Sequence, residues 1–390
     1  MNVLSLFDGM SCGQQALERL GIKVDNYFAS EIDKYAITVT MANYPNTKQL
    51  GSVTQVDGYS LPKIDLLIGG SPCQSFSFAG KRKGMSTKDE QEILTLEHYL
   101  ELKSQEYEFE GQSYLFWEYM RLLNEVKPKY FLLENVMMGE KWEKILSKAI
   151  GVNPIMINSS LVSAQNRQRL YWTNIGMKPS GLFGDLESTI EQPKDLGILL
   201  KDILEDGVDD KYFLSEKMIN GFLAHNKRHI EEKNQTGFNW KPTEGNKKAA
   251  CLRANAALCP TDNTVIVHNM MPRSSKSGKG GTGHLTREDG KTYCLDTGST
   301  NAVEIIATQI GNSEKFGNSI NDNGKAFTIR RCNPNGIIIN NKIRRLTPTE
   351  CERLQTVKDG YTTYVSDSQR YKMLGNGWTV DVIAHIFKYL

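Results

Sequence analysis

The chain has 390 residues, 39% of them hydrophobic, and its 47 basic and 45 acidic side chains leave a net charge of +2. This composition fits a soluble globular protein with room for two cores; no window approaches the roughly 20 apolar residues that a bilayer span needs, and Asp8 interrupts the first apolar run, so no leader peptide is expected. Seven scattered cysteines without CxxC spacing indicate neither a disulfide framework nor a metal site. The expectation is a cytoplasmic protein whose polyanion binding, if any, depends on local segregation of its basic residues.

In chain order, short apolar runs alternate with amphipathic stretches up to about residue 176. The predicted strands are Val3 to Phe7, Tyr27 to Ser30, Ile64 to Gly69, Tyr130 to Glu134 and Leu170 to Ile175, with a helix over Gln14 to Leu20 that Gly21 stops. That rhythm predicts an α/β fold with a mostly parallel sheet covered by helices. Met85 to Glu110, dense in Glu, Lys, Gln and Leu, reads as a charged helical excursion. After Pro179 the texture turns to Gly, Asn, Thr, Ser and Lys with short β runs, which predicts a second, smaller β-rich domain over residues 179–342. Three stretches there look alike: Lys248 to Leu252, Lys291 to Leu295 and Lys325 to Ile329. The β-branched runs Thr264 to Val267, Val303 to Ile306 and Ile337 to Ile339 follow them in turn, so a hairpin repeated three times is expected. Helical patterning returns from Leu346, with Pro348 early in one helix and Val380 to Leu390 as the last. Residues 343–390 should rejoin residues 1–178.

Chemistry-bearing residues cluster at predicted strand ends. Phe7, Asp8, Gly9, Ser11 and Gly13 form a tight strand-to-helix loop, and Glu31 ends the second strand, where nucleotide binders place a carboxylate for ribose hydroxyls. GxGxxG is absent, so a cofactor without phosphates suits the loop better. Gly69-Gly70-Ser71-Pro72-Cys73-Gln74-Ser75 follows an apolar strand and presents a thiol on a shaped loop at the carboxyl edge. A lone cysteine is more often an inert core residue. Here the surroundings favour a nucleophile, which needs exposure and a positive neighbour. Glu134, just past another apolar strand, falls on the same edge if the two strands are parallel. Arg167 and Arg169 share a face in β geometry and suit an anionic ligand.

These stretches, in this order, resemble the DNA (cytosine-5) methyltransferase family. Gly70 to Gln74 looks like its Pro-Cys nucleophile motif, Glu134 to Val136 its Glu-Asn-Val motif and Gln165 to Arg169 its Gln-x-Arg-x-Arg motif. Arg345 to Pro348 with Arg353-Leu354-Gln355, then Gly375-Asn376-Gly377, look like its closing motifs. The resemblance implies a Rossmann-like sheet that binds S-adenosylmethionine and releases S-adenosylhomocysteine. It implies that Cys73 adds to carbon 6 of a cytosine rotated out of duplex DNA, while Glu134 holds N3 and the exocyclic amine. Arg169 would hold O2, and Arg167 would organise Glu134 and Cys73. Phe7, Asp8, Gly9, Ser11, Gly13, Glu31, Ile32, Ser52, Pro72, Asn376 and Trp378 would line the donor site. Ser75, Lys81, Arg82 and Lys83 would lie on a loop closing over the base, and the 179–342 region would read the sequence, with Arg273, Lys276, Lys279, Arg330 and Arg331 as contacts.

Several residues depart from the usual pattern. Ser11 and Cys12 stand where two glycines are common, Ile32 where an aromatic stacks on adenine, and Ser52 where an aspartate is frequent. A tRNA methyltransferase on the same scaffold would need a smaller recognition region, a catalytically dead relative would not keep Cys73, Glu134, Arg167 and Arg169, and an oxidoreductase would carry GxGxxG. The expected state is a monomer; a partner endonuclease and a lone protective role fit the sequence equally.

Overall fold

The apolar runs at the start of the chain become one seven-stranded sheet in the computed structural model, which describes residues 1–72, 86–87, 92–180, 185–231, 247–252, 264–270, 300–302 and 342–390. The strands are β1 (Asn2–Leu6), β2 (Asn26–Ser30), β3 (Lys48–Gln49), β4 (Leu66–Gly70), β5 (Tyr130–Val136), β6 (Ile155–Asn158) and β7 (Gln168–Thr173). Their order across the sheet is β3-β2-β1-β4-β5-β7-β6. The first five run parallel, and β7 runs antiparallel to both β5 and β6. Val3, Leu4, Leu6, Leu66, Leu67 and Ile68 are all fully buried, the signature of a parallel sheet covered on both faces. The two-residue β3 and the short β6 lie toward the sheet edges and carry too little alternation to be seen in sequence.

From β1 the chain winds outward to β2 and β3, then crosses to β4 on the other side of β1. Strand order therefore reverses between β1 and β4, and the loops that follow them diverge to leave a crevice at the carboxyl edge. Helix α1 (Cys12–Arg19) follows β1 and α2 (Lys34–Asn43) follows β2. Cys351–Leu390 returns to the same unit. Arg19 of α1 pairs with Asp381 of the last helix, Val380–Phe387, and the Tyr361 hydroxyl donates to the Met10 carbonyl at 2.7 Å.

The charged stretch before residue 110 turns inward. Its helix, α3 (Leu96–Ser104), starts at Thr95, whose hydroxyl accepts from the His98 amide. Tyr99 and Leu102 enter the core beside Phe116 and Trp117 of α4 (Phe116–Val126). Glu118 of α4 has no exposed surface and accepts from Tyr99 Oη, Lys103 Nζ and Arg121, so part of the apparent surface charge is a buried network tying α3 to α4.

Two units separate by contacts. One comprises Met1–Ile198, Ala250–Ala257 and Cys351–Leu390; the other comprises Leu199–Ala249 and Leu258–Glu350. In the second, Thr264–Met270 pairs antiparallel with Lys342–Arg345 and with Thr300–Ala302. The expected first hairpin is thereby corrected: Thr264 to Val267 finds a ladder partner some eighty residues on, because both runs are β-branched or basic and complementary in register (Thr264↔Arg345). The other two copies lie outside the described residues. Arg344 and Glu350 form a two-pronged buried pair at 2.6 and 2.7 Å. Among the described residues no helix is long and apolar enough to cross a membrane.

Candidate active site

The loop after β1 is wound tightly by left-handed residues: Phe7 (φ 57°), Gly9 (φ 57°) and Ser11 (φ 62°). It is latched to the end of β2. The Asp8 amide donates to the Ser30 carbonyl, the Gly9 amide donates to Glu31 Oε2 at 2.8 Å, and Glu31 Oε1 accepts from the Ile32 and Asp33 amides. Gly13 opens α1 where a Cβ would sit 2.3 Å from Ile68 Cδ1 and 3.0 Å from Tyr27 Oη, so only glycine lets the helix approach β4 this closely. Ile32 beside Glu31 is 72% exposed, an apolar surface at the lip of the crevice. Ser52, also expected at the donor site, precedes a short turn. Its hydroxyl caps the turn Val53–Gln55 and hydrogen-bonds Thr54 Oγ1 at 2.9 Å.

Asp8 carries the buried carboxyl of this corner. Its Oδ1 accepts from the Tyr27 hydroxyl at 2.8 Å, and its Oδ2 is buried with no partner. Burial, aided by the nearby charge of Glu31 and opposed by the neighbouring Ser5, Tyr27 and Ser11 hydroxyls, pushes its carboxyl up to about 6 from the ordinary 3.8. The sign follows by linkage. The folded state holds a proton there more tightly than the unfolded chain, so this contribution to stability is full below pH 3.8 and is lost as pH rises through about 6. Asp8→Asn, which cannot ionise, is expected to stabilise the ligand-free protein above pH 6 by up to about 3 kcal/mol, at 1.36 kcal/mol per tenfold change in proton affinity. Thermal unfolding of both proteins at pH 5 and pH 8 checks it; an equal difference at the two values would refute the assignment.

A second corner forms where β4, β5 and β7 meet. Gly70 is in register with Glu134, and Val136 with Arg169, so the ends of two parallel strands and the start of the antiparallel one share an edge. Arg169 Nε lies 3.0 Å from Glu134 Oε1. A Cβ on Gly70 would fall 2.9 Å from Trp378 Nε1 and 3.1 Å from Glu134 Oε2, which places the Trp378 indole beside Glu134. Asn135, one residue on and fully buried, donates to Ser71 Oγ at 3.0 Å. It ties the end of β5 to the residue before Pro72.

Arg167 and Arg169 divide their work otherwise than the resemblance implied: Glu134 is partnered by Arg169. Arg167 precedes β7, is nearly inaccessible, and donates to the carbonyls of Gly375 (3.3 Å) and Gly377 (3.0 Å). The reason is register, because only Arg169 is opposite β5, whereas Arg167 meets the closing segment around exposed Asn376. Gln165 reinforces that junction. Its amide donates to the Leu354 carbonyl and its oxygen accepts the Leu252 amide at 2.7 Å. Asn135, Gln165 and Cys251, whose sulfur lies 3.2 Å from Arg167 Nη1, were not singled out as site residues. A buried amide inside an apolar run, as in Leu-Leu-Glu-Asn-Val, is the signal that marks Asn135. Cys73, Ser75, Lys81, Arg82, Lys83, Arg273, Lys276, Lys279, Arg330 and Arg331 lie outside the described residues.

The chain is similar along its length to known proteins. The family profile for C-5 cytosine-specific DNA methylase covers residues 1–390. The chain is 29% identical to the orphan methyltransferase M.SPRI of Bacillus phage SPR, over 100% of this chain and 97% of that one. It is 28% identical to the type II methyltransferase M.HgiCI of Herpetosiphon aurantiacus, over 96% and 93%. A Spodoptera frugiperda DNMT2 crystal structure shares the fold with a TM-score of 0.56 at 19% identity, covering 100% of this chain and 98% of that chain. The chain belongs to the C-5 cytosine-specific DNA methylase family and is a methyltransferase acting on carbon 5 of cytosine in DNA.

Proposed function

We propose that the enzyme methylates a cytosine rotated out of duplex DNA, through a transient covalent bond from Cys73 to carbon 6 of the base. The observation that carries this reading is the corner at Gly70, where Glu134, held by Arg169, lies in register with the strand that runs directly into Pro72-Cys73. Carbon 5 of cytosine is a poor nucleophile while the ring is aromatic. Addition of the Cys73 sulfur to carbon 6 breaks the aromaticity and leaves electron density on carbon 5. Glu134 holds N3 and the exocyclic amine and favours the protonated ring that spreads the developing charge. Arg169 orients Glu134 and reaches the base's O2. Arg167 fixes the closing segment through the carbonyls of Gly375 and Gly377 and adds positive charge that favours thiolate. After alkylation, loss of the carbon 5 proton returns electrons to the ring and expels Cys73.

The β1 corner fits S-adenosylmethionine. Its partnerless buried Asp8 oxygen and the Glu31 carboxylate suit a donor that carries positive charge and no phosphate, and exposed Ile32 offers an apolar face to its adenine. Phe7, Gly9, Ser11, Gly13, Pro72, Asn376 and Trp378 complete the proposed lining. When bound, the cofactor supplies an electrophilic methyl group. Residues 179–342 read the target sequence, with Arg273, Lys276, Arg330 and Arg331 as contacts, and Ser75 to Lys83 close over the base. The enzyme works as a monomer in the cytoplasm, associated with the nucleoid through DNA.

Trapping tests this. A pool of random-sequence duplexes carrying 5-fluorocytosine should yield a denaturation-resistant adduct that depends on S-adenosylmethionine, because fluorine cannot leave as the proton does. No adduct, an adduct that survives Cys73→Ala, or one formed only on a matched RNA pool would overturn the proposal.

A further inference from the structure

The segment Lys248 to Leu252 was notable in sequence only as one of three similar stretches. Part of it reaches the catalytic corner. Ala250–Ala257 belongs to the sheet-bearing unit, and Leu252 is pinned by its amide to Gln165. This brings Cys251 Sγ to 3.2 Å from Arg167 Nη1 and 3.8 Å from Arg169 Nη2, while Arg169 Nε lies 3.0 Å from Glu134. One guanidinium is thus shared between a carboxylate and a sulfur.

We propose that Cys251, paired as an anion with Arg167 and Arg169, is a positioning residue that sets how tightly Arg169 holds the cytosine-gripping Glu134. Two guanidinium groups meet at Cys251 while only Arg169 reaches the Glu134 carboxylate, and a thiolate supplies the second negative charge. Burial alone would push the Cys251 thiol up, but the charges of Arg167 and then Arg169, with their hydrogen bonds, outweigh it and hold the thiol below its ordinary range. Cys12 shows the contrast. Buried in the same unit, and only weakly reached by Arg167, it is pushed up to about 12. Among the described residues the buried Tyr171 hydroxyl also senses this corner; burial first and then the Glu134 charge push it up against Arg169 and Arg167, so it stays protonated.

The consequence is electrostatic. Without the Cys251 charge, Arg169 is left to Glu134 and the Gln168 carbonyl, and it draws the carboxylate away from the position in which it meets the base. This rests on the proposed role of Glu134.

Cys251→Ala is expected to lower kcat roughly tenfold, the scale of a mistuned acid–base group. KM for DNA should stay within about twofold. Cys251→Asp, an anion of similar reach, should restore kcat, whereas Cys251→Ser should not. Unchanged kcat in Cys251→Ala, or loss that Asp and Ser rescue equally, would overturn the inference while leaving the methylation mechanism intact. A second readout needs no substrate. Iodoacetamide labelling of Cys251, followed by peptide mass spectrometry, should reach half its maximal rate below the ordinary thiol value near 8.5, and Arg169→Ala should raise that midpoint. A midpoint at or above the ordinary value refutes the thiolate pairing. If the wild type transfers no methyl group at all, the functional reading itself falls, and the positioning role with it.

Discussion

Cys73→Ser is expected to lower methyl transfer by roughly 10⁴-fold or more, the scale seen when a covalent nucleophile is removed. Duplex binding should remain within about twofold. The hydroxyl is nearly isosteric, but its oxygen is not ionised at neutral pH, so it cannot start the addition that makes carbon 5 nucleophilic. Incorporation of labelled methyl groups, set beside a gel-shift titration on the same duplex pool, separates chemistry from binding. Residual turnover within tenfold of wild type would exclude the Cys73 adduct. Failure to bind DNA would instead make Cys73 a structural residue.

The second large effect falls on the Glu134–Arg169 pair. Glu134→Gln keeps the shape and one donor but loses the exchangeable proton, and is expected to cost 10² to 10⁴ in kcat, on the order of general acid–base contributions. Arg169→Ala should cost on the order of 10² to 10³, the range for removal of one preorganised donor. Because the two side chains act through a single contact at 3.0 Å, the double variant should be little worse than the poorer single one. A double-mutant cycle on kcat with additive losses would show that they work independently. Arg169→Lys should rescue poorly, since an ammonium cannot extend a planar fork to Glu134 and Cys251 together.

Most of the sheet was legible because burial on both faces demands continuous apolar runs, and Val3 to Leu6, Leu66 to Ile68 and Phe131 to Leu133 are such runs. β3 and β6 were not, since edge strands are short and owe their pairing to neighbours. The helix expected in the charged stretch before residue 110 is present as α3, but the burial of the charge that anchors it was not legible. Glutamates, lysines and arginines look solvated in a one-dimensional reading, yet Glu118 is buried and satisfied by Tyr99, Lys103 and Arg121. Pairing over long sequence distance was likewise invisible: nothing local indicates that Thr264 will face Arg345.

The candidate site divides along the same line. Sequence by itself determined the residue types and their order: a glycine loop with Asp8, a carboxylate at Glu31, Pro72-Cys73, Glu134-Asn135 and the two arginines. Those follow from chemistry that tolerates few substitutes, and each sits at the end of an apolar run, which fixes the strand edge it occupies. Tertiary structure decided who touches whom. Register made Arg169, not Arg167, the partner of Glu134. The return of the chain's last forty residues set Arg167 against Gly375 and Gly377 and the Trp378 indole beside Gly70. A hydrogen bond from Leu252 to Gln165 brought Cys251 to both arginines. Such contacts join residues separated by tens to hundreds of positions, and their geometry arises only when the sheet is assembled.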